Sequence, residues 1–157
     1  MGAPEYSVLL VDDDLDLLET MKAILEGRGY RVETSQTGED ALEKIKEKYF
    51  DVIVLDLVLP GISGIELLSR LETNRIPRVR KIILTGHSTL ENAVQALNLG
   101  ADAYLIKPVM PEDLVKAIAD QIDKQQQEIL LIQEKIRYFV ERNSEEMIRR
   151  ISEEKYL

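Results

Sequence analysis

Asp12, Asp13, Asp56, Thr85 and Lys107 are far apart in the chain, yet each follows or closes a short apolar run. If those runs are parallel strands of one sheet, their carboxyl ends meet along a single edge, where such sheets bind ligands. Three carboxylates gathered there repel one another, by about 4 kcal/mol per pair at 4 Å and an effective dielectric near 20. A cluster of that kind calls for a cation or for shifted pKa values. A hard divalent ion fits, and Mg²⁺ in particular uses one or two carboxylates and keeps several waters. Lys107 adds a point charge, and Thr85 a hydroxyl, for an anion beside the metal. A carboxylate flanked in this way suits attack on a phosphoryl group. Singly, each residue has an ordinary explanation. An aspartate after a strand is often a helix N-cap, as Asp14 is expected to be, and Thr-Gly or Lys-Pro pairs are common strand exits. Recurring at four strand ends, they favour shared chemistry.

The elements that must position these groups are legible as alternating runs. Segments 6–11, 31–34, 52–55, 81–84 and 103–106 are rich in Val, Ile and Leu. Three of them lack polar alternation, as expected of strands covered on both faces. Helical spacing fills the gaps: Leu17, Leu18, Met21, Ile24 and Leu25, then Ala41, Leu42 and Ile45. Ile65, Leu67, Leu68 and Leu71 mark a third helix, and Ala93, Val94, Ala96 and Leu97 a fourth. Pro111, Glu112 and Asp113 open a fifth. Five alternations predict a doubly wound α/β fold around a five-stranded parallel sheet. Glu39, where the second helix begins, reads as remote from the acidic cluster.

The fifth helix runs on past the domain. Val115, Ile118, Ile122, Gln125, Ile129, Ile132, Ile136 and Phe139 recur at three- and four-residue steps, a coiled-coil spacing broken by Gln125. Asn143, with Glu146 three residues on, reads as an N-cap where a helix restarts. The expected division is a domain over 1–124 and a helical extension over 125–157. That extension is read as a homodimer seam, parallel or antiparallel, a linker to an output domain, or a lid folded back.

Composition narrows the function classes. The 157 residues carry a net charge of −9 and no cysteine, with 45% hydrophobic and 31% charged residues. Disulfides and thiolate metal sites are excluded. No basic footprint for nucleic acid or anionic membrane is present, and no basic recognition helix follows the domain. No apolar run approaches a membrane span and no signal-peptide pattern opens the chain, so the expected location is the cytoplasm.

These stretches together resemble the receiver domain of two-component response regulators, the CheY-like, flavodoxin-like fold. The resemblance is carried by Val8-Leu9-Leu10-Val11-Asp12-Asp13-Asp14, by 51–61 around Asp56, by Ile83-Leu84-Thr85-Gly86-His87, and by 100–108 ending in Lys107-Pro108. It implies that Asp56 accepts a phosphoryl group from a sensor histidine kinase. It also implies that Asp13, Asp56 and the Val58 carbonyl bind Mg²⁺ directly, with Asp12 acting through a water. Thr85 and Lys107 would hold the phosphoryl group, Tyr104 would be the rotameric partner of Thr85, and the Lys107–Pro108 bond would be cis. The resemblance implies a signalling phospho-acceptor, limited to self-catalysed phosphotransfer and autodephosphorylation, that changes its surface toward a downstream protein. A haloacid-dehalogenase-like phosphatase is the enzyme alternative, but it leaves Asp56 without a role and lacks a later acidic pair. Val58 offers an attacking water no polar side chain, and the lone His87 reads as an ordinary loop residue.

Overall fold

The computed structural model describes residues 5–71 and 77–154. The elements alternate as expected: β1 (Ser7–Val11), α1 (Leu15–Gly27), β2 (Arg31–Ser35), α2 (Gly38–Glu47), β3 (Val52–Leu55), α3 (Gly64–Arg70), β4 (Arg80–Thr85), α4 (Leu90–Asn98), β5 (Ala103–Ile106) and α5 (Pro111–Glu154). All strands are parallel in the order β2-β1-β3-β4-β5. The chain reverses its direction of winding after β2, which puts the switch point between β1 and β3.

Strand alternation divides the core into two layers. Val8, Leu10, Val52, Val54, Ile82 and Leu84 pack with Leu18, Met21 and Leu25 of α1 and with Leu114, Ile118 and Ile122 of α5. Leu9, Val11, Ile53, Leu55 and Ile83 face Ala41 of α2, Leu67 and Leu68 of α3, and Ala96 of α4. The helices start where side chains satisfy their free N–H groups: Asp14, Thr37, Ser63 and Thr89 each accept from the third residue onward.

On α4 only Ala96 is buried, while Leu90, Val94 and Leu97 face outward. Two readings of the C-terminal extension need correction. The restart at Asn143 is absent, because α5 continues unbroken for 44 residues, about 66 Å at the usual rise. Ser144 donates its hydroxyl to the Val140 carbonyl at 2.8 Å, bonding back into the preceding turn. Glu146 pairs with Arg150 one turn on rather than with a cap. The folded-back lid is absent as well, since every described residue from 133 onward is exposed except half-buried Glu146.

Gln125, the break in the apolar seam, is buried against the domain. Its Nε2 donates to the Tyr49 hydroxyl at 3.0 Å and the Arg78 carbonyl at 3.1 Å. Next to it, Arg80 pairs with Glu128 at 2.5 Å. This polar collar fixes the direction in which α5 leaves the sheet.

Candidate functional site

The sheet ladder sets the acidic cluster in place. Asp12 N–H donates to the Ser35 carbonyl at 3.1 Å and Asp56 N–H to the Val11 carbonyl at 3.0 Å. Lys107 N–H donates to the Thr85 carbonyl at 2.9 Å. Asp12, Asp56 and Lys107 are thus each held by the strand next door, just past the last apolar position. The Lys107–Pro108 bond is cis.

Carboxylate oxygens of Asp12, Asp13 and Asp56 lie within 4.8 Å of one another, with Asp12 and Asp56 buried and Asp13 exposed. Lys107 Nζ sits between the two buried acids, 2.6 Å from Asp12 Oδ2 and 2.9 Å from Asp56 Oδ2. Thr85 donates its hydroxyl to Asp56 Oδ1 at 2.7 Å and accepts the His87 N–H at 3.1 Å. Val58 N–H also donates to Asp56 Oδ1, at 3.1 Å, and Asp14 N–H to Asp12 Oδ1 at 2.9 Å. Asp14 itself caps α1, as its position predicted. His87 keeps its reading as a loop residue, its main chain held by Thr85.

Burial pushes the Asp12 carboxyl up from its ordinary value, against the pull of Lys107 and the Asp14 N–H, and Asp56 adds repulsion. Burial alone would lower Lys107, but hydrogen bonds to Asp12 and Asp56 outweigh it and raise the ammonium. Three carboxylates gather around one lysine, so the site holds more negative charge than its one cation offsets. The donor set therefore fits a hard divalent cation: all-oxygen ligands, one acid open to solvent, and surplus negative charge. Tyr104 packs against the core layer beneath α2, α3 and α4, and its buried hydroxyl has no hydrogen-bond partner among the described residues.

Sequence reasoning gathered these residues and missed their supports. Gly64 opens α3 hard against the exit of β3: a Cβ there would lie 1.9 Å from the Asp56 carbonyl oxygen. Glu39, read as remote, accepts the Ile62 N–H at 2.9 Å in the loop that follows Asp56. The glycines at 61 and 64 were the available signal, since each marks a close approach.

Fold and edge chemistry define a class: small parallel α/β domains with an acidic, cation-ready edge. Comparison with known proteins gives the family. Residues 8–119 match the profile of the response regulator receiver domain, and the chain belongs to that family. It is 39% identical over 109 residues to the transcriptional regulatory protein ZraR of Klebsiella oxytoca, covering 69% of this chain and 24% of that one. Against the alginate biosynthesis transcriptional regulatory protein AlgB of Pseudomonas putida the identity is 36% over 119 residues, covering 76% and 26%. The chain thus spans about a quarter of the length of these curated relatives. Among solved structures, a CheY-like receiver domain protein from Methanospirillum hungatei superposes with a TM-score of 0.76 at 42% identity, covering 80% of this chain and 99% of that one. The BeF3-activated DrrB receiver domain gives 0.69 at 34% identity, covering 76% and 99%.

Proposed function

We propose that Asp56 is the phospho-acceptor of a two-component switch, fed by a sensor histidine kinase. The observation that carries this is the seat of Lys107 Nζ between Asp12 and Asp56, with the Thr85 hydroxyl on the same Asp56 carboxylate. An Asp56 oxygen attacks phosphorus, the phosphorus–nitrogen bond of the donor's phosphohistidine breaks, and the imidazole leaves with a proton. Mg²⁺, when bound, neutralises phosphoryl oxygens; Asp13, Asp56 and the Val58 carbonyl would hold it, with Asp12 acting through a water. Lys107 and Thr85 are poised to turn from the carboxylates to the new phosphoryl oxygens. The added dianion brings three strong acceptors to the position where only the Asp56 carboxylate stood. Thr85 follows them, the β4–α4 loop follows Thr85, and Tyr104 is the side chain that fills the vacated space.

The output is a changed α4–β5–α5 surface, where the exposed row Leu90, Val94, Leu97 and Ile106 suits a downstream protein. The receiver occupies 1–124, and residues 125–157 form the extension that carries the signal onward. The exposed Ile136, Phe139 and Val140 support a homodimer through this helix, and the greater length of the relatives supports an output domain beyond it. No direct nucleic-acid or membrane contact is proposed for this chain. Among the described residues no helix is long and apolar enough to cross a membrane, and a cytoplasmic location is proposed with the kinase pairing.

Incubation with acetyl phosphate and Mg²⁺ should add one labile phosphoryl group by intact mass, and Asp56→Asn should abolish it. Labelling that persists in Asp56→Asn would overturn the assignment.

A further inference from the structure

The start of α2 presses on the loop joining β3 to α3, the loop that leaves Asp56. Glu39 Oε1 accepts the Ile62 N–H at 2.9 Å. Its carboxylate also lies flat on Gly61, where a Cβ would come 2.3 Å from Oε1 and 2.7 Å from Oε2. Gly38 closes the same contact from the other side, since a Cβ there would lie 2.8 Å from the Ile62 carbonyl oxygen. Gly61 has φ +72°, a conformation glycine adopts without strain, so the loop is shaped to receive the carboxylate. The far end of the loop is tied by Gly64 N–H to the Leu57 carbonyl at 2.9 Å. Between these ties Leu57 and Leu59 are buried, and Val58 N–H donates to Asp56 Oδ1.

We infer that Glu39 is a positioning residue for the reaction at Asp56: it braces the β3–α3 loop and thereby holds the Val58 main chain against the reacting carboxylate. The inference rests on Asp56 being the phospho-acceptor. Glu39 itself touches neither Asp56 nor the acidic cluster. Its effect runs through one hydrogen bond and the backbone it fixes. A loop free to shift at Ile62 lets the Val58 N–H and carbonyl wander, and small misplacements of groups around a reacting centre cost rate.

The test compares Glu39→Ala with Glu39→Gln, whose amide oxygen accepts the same N–H. Phosphorylation of Asp56 by acetyl phosphate is followed by intact mass at saturating Mg²⁺, and thermal melting is recorded alongside. Glu39→Ala should slow the reaction roughly fivefold, the ratio that a hydrogen bond of about 1 kcal/mol corresponds to, while Glu39→Gln stays close to wild type. A wild-type rate in Glu39→Ala would overturn the brace. An equal loss in both variants would also overturn it, since the carboxylate would then act by charge and not by accepting a hydrogen bond. Failure of the phospho-acceptor reading is distinguishable, because Asp56→Asn would then keep its label whatever Glu39 does.

Discussion

Lys81 lies on β4 with its side chain fully buried, and among the described residues its Nζ has no hydrogen-bond partner. It reaches under the turn at Gly100, where a Cβ would sit 3.4 Å from Nζ. Burial pulls its pKa below the ordinary 10.5; Asp102 opposes that shift and Arg78 reinforces it. Between the lowered folded value and 10.5 the unfolded chain holds the proton more tightly, so this group's contribution makes stability rise with pH across that window. Below the window the buried charge is penalised in full. Lys81→Met keeps the apolar stem and removes the charge. It should melt higher than wild type at pH 7, with the gap narrowing as pH approaches 10.5 in a calorimetric series. A gap independent of pH would assign the effect to packing. At the acidic edge, Val58 is about half exposed (49%) beside Asp56 and offers no polar group to an attacking water. Val58→Asn should therefore hasten loss of the phosphoryl group about fivefold, as one hydrogen bond of ~1 kcal/mol would. The decay of labelled protein by intact mass reads it, and an unchanged lifetime would count against the water-orienting role.

Among the elements, α3 depends most visibly on one residue. Gly64 admits the Asp56 carbonyl oxygen where a Cβ would stand 1.9 Å away, with the Leu57 Cα at 2.6 Å. Backbone cannot step aside as a flexible side chain can, so Gly64→Ala should cost at least ~2 kcal/mol in urea denaturation, in the range of severe overpacking. A variant as stable as wild type would mean that α3 can shift freely. β1, β3 and β4 were legible in the sequence because burial on both faces leaves near-continuous apolar runs. Asp12 and Asp56 follow as the first polar residues beyond β1 and β3, as Lys107 follows β5. Thr85 was legible for its place, although it closes β4 inside the strand. What periodicity could not show was direction. Leu90, Val94 and Leu97 have helical spacing whether they face a core or a partner, and on α4 they face outward. Gln125 looked like a flaw in a coiled coil because sequence does not display the Tyr49 hydroxyl and Arg78 carbonyl waiting for its amide. Asn143 fits an N-cap pattern that a continuing helix overrides. Glu39 was invisible for a similar reason: a surface glutamate gives no sign of the N–H it accepts from Ile62, 23 positions away.

At the scale of the whole molecule, the receiver is closed and the extension is not. Leu114, Ile118 and Ile122 end the part of α5 that the sheet covers, and the collar at Gln125 and Glu128 marks its rim. Beyond it the same helix presents Ile136, Phe139, Val140, Met147 and Ile151, each more than half exposed. A solvated helix gains little from propensity alone, and most helical stability comes from a packed apolar face. Burying each of these side chains is worth about 1.5–3 kcal/mol, which a second copy of the helix would supply in the proposed homodimer. The continuous helix also puts Asn143 in the row of Ile129 and Ile136, at seven-residue steps. A polar residue in such a row sets register and partner number at some loss of affinity, which would suit the proposed phosphorylation-dependent association. Sedimentation of the wild type should therefore give a dimer at micromolar concentration, with an affinity that shifts when beryllofluoride and Mg²⁺ are added. Ile136→Asp with Phe139→Asp should give a monomer whose receiver melts as before, because neither residue touches the domain core. A wild type that sediments as a monomer at high micromolar concentration, with and without the phosphoryl mimic, would leave the stripe to a different protein and refute the dimer.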